Sequence, residues 1–394
     1  MRKPLSGCRV LDLGIITAGA ATSGLLADLG AEVIKIESPT YRDPFRSWIA
    51  GESEVIGGAP LFFRSNNRNK HGISVDLKSP EGRDVFFRLA TRSDVVVENF
   101  RRGVMERLGL SPTSLRETNP NLIVLAISSQ GGTGPDAGQV SYGSTLEAVG
   151  GFAWTTGYAG GPPVVTGKDL NYPDQAVAIF AAGMVIAAWI KRRRGQGGAV
   201  LDVSQRELTT FLVGETFAAD PDHALRIGNA DPAYLLQDCF RAADSAWVAV
   251  SILSADRRTI CSLLGLGPSF NEAELRLALA TWIAGEPAAA RADALAKLGI
   301  AAAPVLDGRA VLNGGGKLWT SALIEAADGM LLKGTPFLVG GAPAEAVREA
   351  PAVGEHSDEV LQSVAGYTSE EVAALVARGV VELPPADDQV TVGV

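Results

Sequence analysis

Short apolar runs and longer helical patterns alternate along the first part of the chain, up to about residue 130. Ala18–Leu29 has the pattern of a helix that ends at Gly30, and Ser79-Pro80-Glu81 carries the capping serine, first-turn proline and acidic residue of a second helix start. Strands are predicted at Arg9–Leu13, Glu32–Ile36, Ile73–Leu77, Ser93–Val97, Leu122–Ser128 and Ala199–Val203. Strands separated by helices of this length indicate a parallel sheet with both faces covered.

The carboxyl ends of these strands are the expected place for a ligand. In open α/β sheets, ligands bind in the crevice just beyond the carboxyl ends of parallel strands. This rule selects four loops as candidate binding elements: Ile15–Gly19, Glu37–Arg46, Glu98–Arg107 and Ser129–Gly134.

The pattern changes after Ser204 and predicts a second, smaller α+β domain. Glu207–Ala230 has the character of a helical connector. Strands are expected as a pair within Cys239–Ile252, at Ala302–Leu306 and as another pair within Met330–Leu338, with a helical region at Ser357–Arg378 and frayed residues from Pro384. We therefore divide the chain into a large domain (1–205 and 335–394), a linker (206–230), a small domain (231–325) and a return linker (326–334).

One carboxylate stands out because of the helix that it begins. From Asp174 to Ile190 nearly every residue is apolar or small, so we expect this helix to be buried on most sides. Helix N-termini favour anions, so an aspartate there stays ionised, which is the form that a nucleophile needs. The local pattern also fits a plain N-cap at Asp174 after the turn residue Pro173.

Composition narrows the class of protein. The chain has 394 residues, 46% hydrophobic and 20% charged, which is typical of a globular protein with two cores. A net charge of −9 argues against nucleic acid as a partner. The three cysteines are widely spaced and predict neither disulfides nor a zinc site. No signal peptide is apparent and Ile179–Ile190 is too short for a membrane span, so we predict a cytoplasmic protein without a membrane partner.

Three familiar kinds of site are not supported. The first βα turn reads LGIITAGAAT and does not fit the dinucleotide fingerprint G-x-G-x-x-G. His71, His223 and His356 lie far apart in the sequence, so no metal site is predicted. The nucleophile elbow G-x-S-x-G of serine hydrolases does not occur.

The chain resembles the class III CoA-transferases, the family that includes formyl-CoA transferase and carnitine CoA-transferase. The matching motifs run in order through most of the sequence, and the small domain matches least. They are PLSGCRVLDL, LLADLGAEVIKIE, DPFR, NRNKHGISVDLKSPEGR, DVVVENFRRGVMERLGL, NPNLIVLAIS, GGTGP, TTGYAGGPP, RRRGQGGAVLDVSQ, GIAAAPVLD, LKGTPF and PAVGEHSDEVL.

The resemblance implies roles for particular residues. It makes Asp174 the nucleophile. Asp169 is the fallback candidate, because a threonine that is usual before Gly195 in the family is missing here. The resemblance also places Tyr142 and Gln175 at the substrate. It assigns contacts with coenzyme A to Ile16, Thr17, Ala18, Val75, Lys78, Asn99, Phe100, Arg107 and Leu108. Independently of the family, the phosphates of CoA need cations, which Lys78, Arg101, Arg102 and Arg107 can supply.

Some family features are changed. Ser38 stands where a basic residue often follows the second strand, and Arg42 or Arg46 is then expected to compensate. Gly143 stands where an acidic residue commonly follows the tyrosine. The glycine-rich loop of the formyl-CoA and oxalate enzymes is missing from the small domain, and the run NGGGK at 313–317 fits a turn. These changes argue against oxalate as the acceptor.

The resemblance implies a Rossmann-like large domain plus a smaller α+β domain, in an interlocked homodimer. It also implies a reaction, the transfer of CoA from an acyl-CoA to a carboxylic acid. This transfer would pass through an aspartyl anhydride and an aspartyl-CoA thioester. CoA and acyl-CoA are then substrates, and no permanently bound cofactor is expected. Backbone N–H groups near Gln175 would stabilise the oxyanion. Two alternatives stay open: an α-methylacyl-CoA racemase, which would use a histidine where Tyr142 stands, and a non-catalytic subunit of a heteromeric transferase.

Overall fold

The computed structural model describes residues 3–48, 59–166, 172–219, 222, 225–267, 269–313 and 322–384. The strands are β1 Arg9–Asp12, β2 Glu32–Glu37, β3 Lys70–Val75, β4 Val95–Glu98, β5 Ile123–Ser128, β6 Ala199–Ser204, β7 Leu236–Arg241, β8 Trp247–Ile252, β9 Ala301–Val305, β10 Leu323–Glu325, β11 Leu331–Lys333 and β12 Val381–Glu382.

The helices follow the same chain order, and short 3₁₀ helices occur at Pro44–Arg46 and Ser254–Asp256. The α-helices are α1 Ala18–Asp28, α2 Leu61–Asn67, α3 Pro80–Thr91, α4 Val104–Arg107, α5 Pro112–Thr118, α6 Gly143–Val149, α7 Phe152–Thr155, α8 Tyr172–Arg193, α9 Gln205–Phe211, α10 Gly214–Ala219, α11 Arg257–Leu264, α12 Glu272–Ile283, α13 Ala288–Lys297, α14 Gly308–Leu312, α15 Ser357–Ser363 and α16 Ser369–Ala377.

A seven-stranded sheet in the order β12-β3-β2-β1-β4-β5-β6 forms the centre of the large unit. Six of these strands pair in parallel, and β12 pairs with β3 antiparallel. The predicted α/β fold class, with a parallel sheet and a smaller α+β part, is confirmed, and the sheet of the smaller part is antiparallel. The order in which successive strands are added to the sheet reverses between β1 and β4, and such a switch point opens a crevice at the carboxyl ends of the strands.

Alternation along each strand builds two cores, one on each face of the sheet. Leu11, Val96 and Val124 pack with α3, α15 and α16 on one face. Their neighbours Val10 and Val95 pack with α1 and α8 on the other face. Because successive side chains of a strand point to opposite faces, a strand covered on both sides must be apolar at nearly every position.

The chain forms two compact units. The first comprises Met1–Phe152, Val165–Glu215 and Trp319–Val394, and the second comprises Ala153–Val164 and Thr216–Leu318. The second unit contains the antiparallel sheet β7-β8-β9, with a core in which Val248, Leu279 and Leu295 are fully buried. The boundaries predicted from the sequence stay a prediction.

Three local expectations are corrected. The third strand begins at Lys70 and not at Ile73, because the Lys70 ammonium is buried and bound to Asp12, so a charged residue lies inside a core strand. The strand pair expected within Met330–Leu338 is instead β11 paired with β10. The short edge strand β12 follows the C-terminal helices and was not predicted. Residues from 385 onward, expected to fray, lie outside the described residues.

The long helix α8 is not buried on most sides as expected. Val177, Ala181, Val185 and Ala188 form one buried stripe on the sheet. A second stripe of Ile179, Phe180 and Met184 is exposed. Helix α8 is long and apolar enough, by length and composition alone, to cross a membrane. Core helices of this length have the same composition, and the buried stripe packs as a core helix does.

Candidate active site

A cavity of about 700 Å³ lies at the carboxyl ends of the parallel strands, within the large unit. Its walls come from the loops that follow β1, β2, β3, β4 and β5, and from the starts of α8 and α9. All four loops selected by the strand-end rule contribute to the lining, three of them with several residues. Of Ser129–Gly134 only Ser129 does so, and the stretch from 137 to 142 supplies the wall there instead.

Most of the residues selected from the sequence meet in this cavity. Ile16, Thr17, Ala18, Val75, Lys78, Asn99, Phe100, Leu108, Tyr142 and Asp174 all line it. Arg107 and Gln175 are not in the lining. The amide oxygen of Gln175 instead accepts a hydrogen bond of 2.7 Å from the Lys333 ammonium, because successive helix residues point in directions about 100° apart. Asp169 lies outside the described residues.

Asp174 is the third residue of helix α8 and is partly buried in the cavity wall. Its Oδ1 accepts a hydrogen bond of 2.5 Å from Nε2 of Gln205. A residue inside the helix whose carboxylate binds another side chain is not an N-cap, so the simple capping interpretation is wrong. Burial raises the pKa of Asp174 to about 6, and the Gln205 hydrogen bond opposes that rise. The carboxylate is therefore mostly ionised at neutral pH and more basic than an exposed aspartate.

The loop after β1 is held in a strained conformation at the cavity rim. Ile16 has a φ of +61°, a conformation that β-branched residues rarely adopt and that costs about 1–3 kcal/mol. Asp43 Oδ1 accepts from Ile16 N at 3.1 Å, and the Asn66 amide donates to the Ile16 carbonyl at 2.9 Å. Asn99 binds both backbone groups of Ile15. These side chains fix the shape of the rim without any ligand.

Glycine at position 19 permits the close approach that this arrangement needs. A Cβ at Gly19 would lie 2.6 Å from Asn99 Oδ1 and 2.7 Å from the Cα of Gly14. Real Cβ atoms do not tolerate such distances, so the start of α1 can pack against the loop after β4 only with glycine there.

Buried ion pairs lie beneath the rim. Lys35 Nζ is 3.0 Å from Asp43 Oδ2, and Lys70 Nζ is 2.8 Å from Asp12 Oδ2, with all four side chains almost fully buried. Burial is the largest single effect on Lys35 and opposes its charge, but the carboxylates of Asp43, Asp12 and Glu37 together outweigh burial and raise the pKa of that lysine. Asp43 thus holds both the Ile16 backbone and a buried ammonium.

The cations at the cavity differ in how they are engaged. Lys78, Arg101 and Arg102 line the cavity and are exposed, and no ion pair joins any of them to another of the described residues. Arg42 and Arg46, expected to compensate for Ser38, are paired with Glu382 at 2.8 Å and with Glu37 at 2.5 Å. In the parts of the chain that the structure describes, no group of three His, Cys, Asp or Glu residues is arranged to hold a metal ion.

Known proteins are similar to this chain in both sequence and fold. The model of CoA-transferase family III matches residues 5–357. The chain belongs to CoA-transferase family III. It is 30% identical to the succinyl-CoA–D-citramalate CoA-transferase of Chloroflexus aurantiacus over 96% of this chain and 98% of that protein. It is 31% identical to the acetyl-CoA:oxalate CoA-transferase of Acetobacter aceti over 86% of this chain and 90% of that protein.

A solved structure supports the same assignment for the fold. A CaiB/BaiF family protein from Brucella suis has a TM-score of 0.81 and 26% identity, and the match covers 92% of this chain and all of that one. The resemblance to class III CoA-transferases, the enzyme class and the fold class predicted from the sequence are therefore confirmed. CoA-transferases act on CoA thioesters, so CoA is a substrate class of this enzyme.

Sequence reasoning missed two residues of this candidate site. Gln205, which binds Asp174, directly follows the carboxyl end of β6, and the strand-end rule did not extend to that strand. Asp43 belongs to the DPFR motif, but the motif gave no sign that its carboxylate would hold the loop of Ile16. Both residues are polar and lie close to predicted elements, Gln205 just after a predicted strand and Asp43 within a selected loop.

Proposed function

We propose that this protein transfers CoA from an acyl-CoA donor to a carboxylic acid acceptor, with Asp174 as the covalent nucleophile. The observation that carries the proposal is the position of Asp174. This residue lines the same cavity as Ile16, Lys78 and Asn99 of the strand-end loops. Its carboxylate is partly buried, mostly ionised at neutral pH and held through Oδ1. These are the requirements of a nucleophilic carboxylate.

The proposed reaction consists of four acyl-transfer steps, here called exchanges. They form two equivalent half-reactions. In the first, Oδ2 of Asp174 attacks the thioester carbonyl of the donor, and the C–S bond breaks to give an aspartyl anhydride and CoA thiolate. In the second, the thiolate attacks Cγ of Asp174, and the Cγ–Oδ2 bond breaks to release the donor acid. The product of this half is an aspartyl-CoA thioester.

The second half runs in the opposite sense with the acceptor. An oxygen of the acceptor carboxylate attacks Cγ, and CoA thiolate leaves, which forms a new anhydride. The thiolate then attacks the acceptor carbonyl and expels the Asp174 carboxylate, with the acceptor acyl-CoA as the product. One oxygen of the regenerated carboxylate comes from the acceptor. Both intermediates hydrolyse in water, so partial burial of Asp174 protects them.

The cavity offers suitable groups for CoA. Lys78, Arg101 and Arg102 are exposed cations for its phosphates, as charge-assisted contacts require. Ile16, Val75 and Leu108 give an apolar surface for the adenine and pantetheine parts. Tyr142 lies on the wall together with Asp174, which suits a contact with the acyl or acceptor group.

We also propose that the enzyme functions as a homodimer in the cytoplasm. The exposed stripe of α8, at Ile179, Phe180 and Met184, continues onto Phe211, whose ring lies 5.9 Å from that of Phe180. Contiguous exposed apolar side chains of this kind mark an association surface. A second copy of this chain is the partner that we assign to it.

Oxygen transfer from acceptor to enzyme tests the mechanism most directly. With the acceptor carboxylate labelled with ¹⁸O, peptide mass spectrometry after turnover is expected to find label in Asp174. Donors to be tested include succinyl-CoA and acetyl-CoA, with oxalate, citramalate and other mono- and dicarboxylic acids as acceptors, as the names of the relatives suggest. Product acyl-CoA without label in Asp174 would contradict the covalent role.

A further inference from the structure

Gln205 binds the carboxylate of Asp174, the proposed nucleophile. Its side chain is buried, with 7% of the residue exposed. The amide Nε2 donates to Asp174 Oδ1 at 2.5 Å. Since a carboxylate oxygen can only accept, the amide nitrogen and not its oxygen faces Asp174.

The local fold fixes this amide in place. Ser204 ends β6 and caps α9, since its Oγ accepts from Glu207 N at 3.1 Å. Gln205 is the first residue of α9, and its carbonyl accepts from Thr209 Oγ1 at 2.7 Å. Strand and helix together therefore set the direction of the side chain, and the donor is positioned before any substrate arrives.

In the proposed reaction, negative charge develops on the oxygen that accepts the Gln205 hydrogen bond. Two of the four exchanges form a tetrahedral intermediate on a substrate carbonyl, and the other two form one on Cγ of Asp174. When CoA thiolate or the acceptor carboxylate attacks Cγ, the electron pair of the C=O bond moves onto Oδ1. That oxygen already accepts the Gln205 hydrogen bond, which becomes stronger as its charge grows.

We propose that Gln205 is a catalytic residue, whose amide N–H stabilises the oxyanion on Asp174 Oδ1 in the two exchanges at Cγ. This role rests on the proposed function, in which Asp174 is the nucleophile. A neutral donor suits both phases of the cycle. A cation at the same place would hold the free carboxylate far more tightly and weaken its attack on the donor thioester, whereas the amide leaves it basic.

The first test separates the exchange at the substrate from the exchange at Cγ. Gln205→Met removes the donor while keeping a side chain of similar length. A donor acyl-CoA is mixed with excess enzyme, the reaction is quenched over time, and mass spectrometry distinguishes acyl-Asp174 from CoA-Asp174. Oxyanion donors contribute about 10²–10³ in rate. We therefore expect turnover to fall by about that factor and the ratio of acyl-Asp174 to CoA-Asp174 to rise at least about 10-fold.

The matched control is Gln362→Met. Gln362 also donates its amide to a carboxylate, Asp358 Oδ1 at 2.7 Å, but on the surface helix α15 and outside the cavity lining. Its turnover and adduct ratio should equal those of the wild type. Equal slowing of both exchanges in Gln205→Met, or an unchanged ratio, would overturn the oxyanion role. A wild type without any adduct on Asp174 would overturn this role and the proposed function together.

A second variant addresses the case in which Gln205→Met folds poorly. Gln205→Glu has the same shape, and the introduced carboxyl must share a proton with Asp174 because two adjacent carboxylates do not both ionise readily. The protonated form donates to Oδ1 as the amide does. We expect activity at low pH that is lost as the pH rises, the reverse of the wild-type profile. A wild-type profile in this variant would contradict the proposal.

Discussion

Lys35 and Asp43 form a buried ion pair of 3.0 Å directly beneath the loop that carries Ile16. The exposed fraction of each side chain is 1% or less. The second oxygen of Asp43 accepts from the backbone of Ile16 and of Phe45. The same carboxylate therefore neutralises a buried charge and maintains the strained rim of the cavity.

We predict that Asp43→Ala lowers the free energy of unfolding by about 3–5 kcal/mol, because Lys35 would remain buried without its counter-charge. Urea unfolding followed by circular dichroism measures this change. Asp293→Ala is the control, since Asp293 pairs with Lys297 at 2.8 Å on the surface and both side chains are exposed. Surface pairs contribute little, so the control should unfold like the wild type. Equal effects of the two substitutions would contradict the role given to burial.

Asp174→Asn should remain folded, lose transfer activity and gain stability at neutral pH. The pKa of Asp174 is raised from 3.8 to about 6 by burial, so the folded state binds this proton more tightly than the unfolded chain does. Ionisation therefore costs stability: the cost is absent below the unfolded pKa and complete above about 6. We expect the variant to be more stable by roughly 1–3 kcal/mol at pH 8.

Thermal unfolding at several pH values checks this prediction. The stability difference between Asp174→Asn and the wild type should shrink as the pH falls and vanish below about pH 4, where both side chains are neutral. A difference that is the same at pH 4 and pH 8 would show that packing, and not the charge of Asp174, causes it.

The activity of the wild type should fall on the acid side with an apparent pKa near 6, because only the ionised carboxylate attacks the thioester. The pH dependence of kcat/KM measures this limb. Glu98, next to the cavity loop after β4, is a second candidate for it, since burial raises its pKa to about 7. Glu98→Gln is therefore the control and should retain the limb. Loss of the limb in that variant would assign the titration to Glu98.

Apolar runs predicted most of the sheet because a strand buried on both faces must be apolar throughout, as at β4 and β5. The buried Lys70 is an exception to the same rule at the start of β3. Its four hydrogen bonds, to Asp12, Ala20, Ser23 and Asn67, arise only when distant segments come together. A sequence pattern cannot show such compensation.

The candidate site was also predictable from the sequence only in part. Backbone position was predictable, since the apolar strands and the strand-end rule were enough to select the loops of Ile16, Glu37 and Asn99. Side-chain direction was not: Asp174 and Gln175 are neighbours, but one lines the cavity and the other binds Lys333. The pKa of Asp174 depends on burial and on Gln205, 31 positions away, so the helix terminus alone predicted a less basic carboxylate.

Removal of a cavity cation should weaken acyl-CoA binding without slowing chemistry. For Lys78→Gln and Arg102→Gln we expect the KM for acyl-CoA to rise about 10-fold with kcat nearly unchanged, as for the loss of a charge-assisted contact of about 1.5 kcal/mol. The increase should be smaller at high salt, which screens exposed charges. Arg42→Gln is the control, because Arg42 is paired with Glu382 and is not in the cavity lining. A fall in kcat with constant KM would place these cations elsewhere in the reaction.

Phe180→Asp should disrupt the association that we assign to the exposed stripe of α8. Phe180 is 44% exposed and Ile179 is 59% exposed in the single chain, so a charge there costs little until a partner covers it. Leu277→Asp is the control, since Leu277 is 70% exposed on α12 and belongs to the second unit, not to the stripe. Light scattering after size-exclusion chromatography should give a dimer for the wild type and the control, and monomer or aggregate for Phe180→Asp.

If the dimer is interlocked, chains that carry different tags should exchange between mixed dimers only after unfolding, because the two chains cannot separate while folded. Rapid exchange would mean that the two copies merely touch.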